Sequence, residues 1–337
     1  MTHACILGLS GLMPTAEEGA FFRDTQPWGF ILFRRNVDSP GQLRSLTSAL
    51  RKLVDRADAP ILIDQEGGRV QRLGPPHWPP YPPARSFQAL EDRYARRELV
   101  RLSAQLMALD LIAVGIDVDC VPVADVPAPG AHRIIGDRAY ADEPNEVGRL
   151  ARAAAEGLMA GGVLPVVKHI PGHGRAGADS HEALPVVNAG LDELDRIDFE
   201  AFRRLSDMPM AMTAHVVFQA VDAQRPATTS HEVVSQIIRR RIGFDGLLIS
   251  DDLSMKALSG DLRERARASL DAGCDVVLHC NGDLQEMRET VAGCRALAGR
   301  AAERARNALA RRPASPEPVD EAEARARLSA ALKVGAP

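Results

Sequence analysis

Val163-Leu164-Pro165-Val166-Val167-Lys168-His169-Ile170-Pro171-Gly172-His173-Gly174-Arg175-Ala176-Gly177-Ala178-Asp179-Ser180-His181 is an apolar run that changes abruptly into a polar, glycine-rich loop. The first five residues read as a buried strand, and the loop gathers three histidines, a lysine, an arginine and an aspartate around three glycines. An irregular segment of that composition, held by a rigid strand, suits chemistry better than it suits a core.

The same junction recurs on both sides of this stretch. Residues 60–63 run into Asp64, residues 116–123 lead to Asp125, residues 210–214 to His215, residues 246–249 to Ser250, Asp251 and Asp252, and residues 274–278 to His279 and Asn281. With runs at 4–9 and 29–33, this makes eight short β-like segments. Helical patterns stand between them: one capped near Ser39 and carried by Leu43, Leu46, Leu50 and Leu53, then others at about 87–114, 145–159, 192–205, 232–241 and 262–272. Such alternation predicts a parallel sheet with helical crossovers, and eight strands is the count of a (β/α)8 TIM-type barrel, whose site lies at the C-terminal ends of its strands. Asp64, Asp125, Lys168, His169, His215, Asp251 and His279 all fall at predicted strand ends. A doubly wound open sheet is the structural rival, but it has no need of polar residues at so many strand ends.

At 337 residues and 45% hydrophobic content the chain can bury a large core. Lys and Arg total 41 against 45 Asp and Glu, a net charge of -4 that argues against a nucleic-acid partner. Residues 1–12 are apolar but lack a basic n-region and a small-residue cleavage site, so they read as a first strand, and a cytoplasmic protein is expected. No run approaches the ~20 apolar residues of a membrane span, so no membrane association is expected. Cys5, Cys120, Cys274, Cys280 and Cys294 are odd in number and scattered, the pattern of buried, reduced thiols. Beyond about residue 299 alanine, arginine and glutamate dominate and Pro313, Pro316 and Pro318 interrupt the pattern. The expected organisation is a catalytic barrel over 1–300 and a helical extension over 301–337 packed on or beside it, with a last helix at about 321–332, in a monomer.

Several residues carry chemistry. At the end of an apolar strand Asp251 can be a nucleophile, a metal ligand or a helix N-cap. Asp179 and His181 are close enough for the carboxylate to hold one imidazole nitrogen and favour the imidazolium, the form a general acid needs. His169 and His173 have the i, i+4 spacing of metal ligands, but Pro171 and Gly172 break the helix that would align them, so a metal site ranks below a turn-forming, sugar-binding role. Lys168, His169, Arg72 and Arg138 can donate hydrogen bonds to hydroxyl or amide oxygens, or serve as salt-bridge partners. Gly67-Gly68 and Gly172 with Gly174 read as tight turns; neither pair fits a phosphate-binding motif.

In combination, Asp64-Gln65-Glu66-Gly67-Gly68-Arg69-Val70-Gln71-Arg72, Gly136-Asp137-Arg138, Lys168-His169-Ile170-Pro171-Gly172-His173-Gly174, Asp179-Ser180-His181, Thr213-Ala214-His215 and Ser250-Asp251-Asp252-Leu253-Ser254-Met255 resemble the glycoside hydrolase family 3 β-N-acetylglucosaminidases of the NagZ type, which act in bacterial peptidoglycan recycling. The resemblance implies a retaining hydrolase with Asp251 as nucleophile, His181 as proton donor and acceptor, and Asp179 orienting His181. It implies that Asp64, Arg72, Arg138, Lys168 and His169 hold an N-acetylglucosamine, with no metal or organic cofactor and with a muropeptide as substrate. A histidine in place of the second carboxylic acid departs from the common pair of carboxylates. Rival readings are a family 3 β-glucosidase, a metal-dependent barrel hydrolase and a sugar-binding protein without turnover. The substrate's acetamido group, oriented by Asp251 or Asp252, is the alternative to an enzyme nucleophile.

Overall fold

Eight parallel strands close on themselves in chain order in the computed structural model, which describes residues 1–180 and 183–332. They are β1 (His3–Leu7), β2 (Pro27–Leu32), β3 (Ile61–Ile63), β4 (Val118–Asp119), β5 (Leu164–Ile170), β6 (Met210–Thr213), β7 (Leu247–Asp252) and β8 (Val276–His279). Each pairs with its sequence neighbours, and β1 closes the ring on β8 with Cys5 opposite Val277 and Leu7 opposite His279. Closure leaves no strand edge unpaired. A barrel strand faces packed side chains inside and helices outside, which is why β3 and β5 are apolar almost throughout and buried at every position. This is the (β/α)8 barrel.

The crossovers include α1 (Ala16–Thr25), α2 (Pro40–Leu53), α3 (Arg93–Ile112), α4 (Pro144–Ala160), α5 (Leu191–Arg196), α6 (Asp198–Arg203), α7 (Leu262–Ala272) and α8 (Leu284–Gly293), with a π-wound helix over Val233–Ile242. Local chemistry sets their ends. Ser39 caps α2 through Gln42 N–H, and Asp261 caps α7 in a reciprocal pair with Glu264.

Four expectations need correction. The helix expected from residue 87 starts at Arg93, because Asp92 accepts from Tyr94 N–H at 2.8 Å and caps it there, and Ala84–Ala89 forms a separate 3-10 turn. The helix expected over 192–205 breaks at Ile197 into α5 and α6, where Arg203 Nη1 takes the Asp195 carbonyl at 2.9 Å in place of a backbone N–H. The strand expected over 116–123 is regular only at Val118–Asp119, since Pro122 has no N–H for the ladder. The chain still follows β5 there, with Lys168 N–H on the Pro122 carbonyl at 2.9 Å and Ala124 N–H on the Lys168 carbonyl at 2.7 Å. Finally, α1 and α8 have no counterpart in the expected helices.

Beyond the barrel, α9 (Gly299–Ala310) and α10 (Glu321–Leu332) flank a proline-containing link. Arg325 of α10 reaches Asp110 Oδ1 on α3 at 2.9 Å and Tyr81 Oη at 3.1 Å, and Arg312 pairs with Asp117 beneath the barrel. Among the described residues no helix is long and apolar enough to cross a membrane.

Candidate active site

The strand-end residues divide into two sets. Asp64, Lys168, His169 and Asp251 line one cleft at the C-terminal end of the barrel, together with Arg72, Arg138 and Glu66, with a cavity of about 210 Å³. Asp125, His215 and His279 are fully buried away from the cleft surface.

One wall of the cleft is a network of alternating charges. Lys168, at the end of β5, places Nζ 2.7 Å from Asp64 Oδ1 and 2.8 Å from Glu66 Oε1. Arg72 Nη2 lies 3.2 Å from Asp64 Oδ2, and Arg138 grips Glu66 with both Nε and Nη2 at 2.8 Å. The donors expected to hold substrate are therefore also ion-paired, which fixes their heads in place while leaving donor capacity for a ligand. Burial alone would raise both acids, but Lys168 and Arg72 hold Asp64 well below the ordinary carboxylate range, and Lys168 and Arg138 bring Glu66 down to about 2. Both stay ionised. The turn that delivers Arg69 and Arg72 requires glycine at Gly67, where φ is +91° and a Cβ would stand 2.4 Å from the Pro82 carbonyl oxygen. Arg69 crosses to the next loop, bonding Asp137 Oδ1 at 2.9 Å and the carbonyl of Ile134, so the Gly136–Arg138 turn is held against the cleft.

Asp125 lies beneath His169. Its Oδ2 accepts from His169 Nδ1–H at 2.7 Å, which leaves Nε2 to the cleft that His169 lines. Its Oδ1 accepts from His173 N–H at 2.6 Å. His173 turns its ring elsewhere, with Nε2 3.2 Å from Ser180 Oγ. The two histidines, paired by their i, i+4 spacing in sequence, thus spend ring nitrogens on separate protein partners. Burial, and then His169, push the His173 imidazole down to about 4, so it is neutral near neutral pH.

Asp251 and Asp252 end β7 and have different surroundings. Asp252 Oδ1 accepts from Ser254 N–H and Cys280 N–H, each at 3.1 Å, and its Oδ2 from Ser254 Oγ at 2.6 Å. Its carboxylate is committed to shaping the turn. Asp251 Oδ1 accepts from Asp252 N–H at 2.8 Å, and its Oδ2 has no hydrogen-bond partner among the described residues. Burial would raise Asp251, but His215, His169, the Asp252 N–H and Lys168 together hold it below its ordinary value, so it stays an anion. His215 supports β7 from behind, donating Nε2–H to the Asp252 carbonyl oxygen at 3.0 Å while Nδ1 meets Thr228 Oγ1 at 2.7 Å.

Asp179 is half-buried on the loop after β5, and Ala183 N–H bonds its carbonyl at 2.9 Å. His181 lies outside the described residues. His279 turns away from the cleft and meets Glu286 Oε2 at 3.0 Å. All five cysteines are free, but the expectation that all are buried fails: Cys280 and Cys294 are half-buried, and Cys280 lines the cleft because it sits just beyond β8 at the rim. Sequence reasoning passed over Glu66 and assigned no role to Asp125 or Ser180. Glu66 alternates with Asp64 in one segment, the available signal that both carboxylates reach the same wall.

A closed parallel barrel with a charged cleft at the strand C-termini, where one ionised carboxylate faces a set of fixed hydrogen-bond donors, defines a class of barrel enzymes acting on polar, hydroxyl-rich substrates. Residues 7–311 match the glycosyl hydrolase family 3 N-terminal domain. The chain belongs to that family and is a glycoside hydrolase. It is 41% identical over 282 residues to a protein named Beta-hexosaminidase from Alkalilimnicola ehrlichii, the match covering 82% of this chain and 80% of the relative. Among solved structures it is similar to NagZ from Neisseria gonorrhoeae in complex with N-trifluoroacetyl-D-glucosamine, at 33% identity and TM-score 0.84 over 99% of this chain and 98% of the other. It is also similar to a family 3 β-N-acetylglucosaminidase from Paenibacillus sp. str. FPU-7, at 30% identity and TM-score 0.80, where it covers 99% of itself but 62% of that longer chain.

Proposed function

We propose that the chain is a retaining exo-β-N-acetylglucosaminidase that removes terminal, non-reducing N-acetylglucosamine from peptidoglycan fragments, in which that sugar is β-1,4-linked to an anhydro-muramic residue with or without peptide. The observation that carries this reading is the contrast at the end of β7: Asp252 is spent on three hydrogen bonds, whereas Asp251 is an anion whose Oδ2 has no partner among the described residues, on the cleft lined by Asp64, Arg72, Arg138, Lys168 and His169. The names of the relatives supply the sugar class.

In this reading Asp64, Arg72, Arg138, Lys168 and His169 hold the hydroxyl and acetamido groups of the sugar, and Asp251 attacks the anomeric carbon. His181, oriented by Asp179, protonates the departing glycosidic oxygen. Neutral His181 then takes a proton from the water that attacks the glycosyl ester, releasing the sugar with retained configuration and restoring the Asp251 carboxylate. No cofactor enters the scheme, and the working protein is a cytoplasmic monomer built as a catalytic barrel with a C-terminal helical extension.

The test is hydrolysis of an aryl β-N-acetylglucosaminide beside the aryl β-glucoside, with and without chelator, by the intact protein and by Asp251→Ala. Selective, chelator-resistant turnover of the N-acetyl substrate that vanishes in the variant is expected, as is labelling of Asp251 by a 2-fluoro glycosyl donor. Preference for the glucoside overturns the substrate assignment, and a label on another residue overturns the role of Asp251.

A further inference from the structure

The loop after β5 is fastened at its far end by contacts that the proposed reaction does not use. Ser180 is buried; its Oγ lies 3.2 Å from His173 Nε2, and its carbonyl oxygen accepts from Ala257 N–H at 3.2 Å, in the turn that follows β7. His173 is buried too, with its main-chain N–H fixed on Asp125 Oδ1 at 2.6 Å. Its Nδ1 is buried without a hydrogen-bond partner among the described residues. An orphaned N–H is rarer in a protein interior than an orphaned lone pair. The neutral ring therefore carries its hydrogen on Nε2 and donates it to Ser180 Oγ.

Between these fastenings the loop is tied to its neighbours as far as Ala176: Ala128 N–H meets the Gly174 carbonyl at 3.0 Å, Arg175 pairs with Asp198 Oδ2 at 2.6 Å and Glu193 Oε1 at 2.8 Å, and His132 N–H meets the Ala176 carbonyl at 2.9 Å. Gly174 passes so near the segment after β4 that a Cβ there would stand 1.9 Å from the Val126 carbonyl oxygen, whereas a Cβ on Gly177 would meet nothing within 4 Å. Past Ala176 the far end of the loop is held where His173 meets Ser180 and where the Ser180 carbonyl meets Ala257 N–H. Ser180 immediately precedes His181 in the chain.

We propose that His173 and Ser180 form a clasp that positions His181 for proton transfer: the imidazole on the near end of the loop holds the hydroxyl on its far end, and the Ser180 carbonyl sets that end against the turn following the Asp251 strand. Both are positioning residues. The inference rests on the role given to His181 under the proposed function. Positioning matters because proton transfer requires hydrogen-bond reach, and a small displacement removes much of a general acid's effect.

The experiment compares turnover of diacetylchitobiose, whose leaving alkoxide needs protonation, with that of a para-nitrophenyl β-N-acetylglucosaminide, whose leaving group needs it far less. The proteins are wild type, His181→Ala, Ser180→Ala, His173→Gln and the Ser180→Ala/His173→Gln double variant. Ser180→Ala and His173→Gln are each expected to lower kcat on the disaccharide about tenfold more than on the aryl substrate, a fraction of the roughly 10²–10⁴-fold that a positioned general acid contributes. The double variant should lose no more than either single one, because both break the same contact. His173 and Ser180 also line the cleft, so the readout is the ratio of the two losses in kcat rather than KM.

Equal losses on the two substrates, no loss, or losses that multiply in the double variant overturn the clasp. If His173→Gln fails to fold, the ratio of losses in Ser180→Ala decides alone. Wild-type turnover of both substrates and a preferential disaccharide loss in His181→Ala test the parent reading. If either is missing, that reading and the clasp fall together; if both are present, an equal loss in Ser180→Ala sinks the clasp only.

Discussion

Glu66→Gln isolates the charge at the centre of the cleft's ion-paired wall without changing its size. The Glu66 side chain is 6% exposed and accepts two hydrogen bonds from Arg138 and one ion-pair contact from Lys168, all at 2.8 Å. Holding this carboxyl at about 2, against an ordinary 4.5, corresponds to ~3 kcal/mol of preference for the charged, folded form. Breaking a buried pair by removing one partner costs about 3–5 kcal/mol, so the two arguments agree in size. The sign follows from linkage. A folded-state value below the unfolded one adds stability that is fully present above about pH 4.5 and is lost as pH falls towards about 2. At about 2.1 cal/mol/K of unfolding entropy per residue, a chain of 337 residues shifts about 1.4 °C per kcal/mol, so the variant should melt roughly 4–7 °C below wild type near neutral pH, with the gap narrowing as pH falls from about 4.5. KM for the N-acetyl substrate should rise, because Arg138 and Lys168 lose the anion that holds them apart and in register. Thermal melts across pH, with KM at a single pH, provide the assay. A gap that does not narrow towards low pH, or a variant that melts with wild type, would refute the assigned role of Glu66.

Two further outcomes follow from the same wall and its neighbours. Asp125→Asn removes the charge and turns one of the two acceptor oxygens into a donor, so the side chain can no longer serve both His169 Nδ1–H and His173 N–H; it should cost about 1–3 kcal/mol of stability and raise KM as well as lower kcat. A variant with KM and melting temperature both unaltered would show that Asp125 does not organise the site. Because Asp251 is held below its ordinary carboxylate value, its labelling by an activated 2-fluoro donor should stay fast as pH falls to about 4 and weaken only below that. A labelling midpoint at about pH 5 or above would mean that burial prevails over His215, His169 and Lys168.

Much of the barrel was legible in the sequence because its signals are local. An apolar run of five residues, a cap such as Ser39 and a glycine turn such as Gly67-Gly68 act within one turn or one strand, and their order alone counts out eight βα units. The same local reading put Asp64, Lys168, His169 and Asp251 at strand ends and hence at one end of the barrel. It misjudged the elements where a competing contact wins: Asp92 starting α3 late, Arg203 drawing the Asp195 carbonyl out of a helix, and Pro122 interrupting β4.

What each polar residue touches was decided only by closure of the ring. Lys168 and Asp64 are 104 positions apart in sequence, yet the curvature of the barrel brings the ends of β3 and β5 together across β4 and sets them 2.7 Å apart, and nothing in either segment records that Glu66 takes Arg138 as its partner. Nor does the sequence separate Asp251 from Asp252; the strand's pleat and the turn after β7 commit one carboxylate to Ser254 and Cys280 and leave the other on the cleft. Secondary structure follows from interactions among near neighbours, whereas the pairing of charges depends on the stagger of eight strands around a common axis, a property of the closed barrel and of no segment within it.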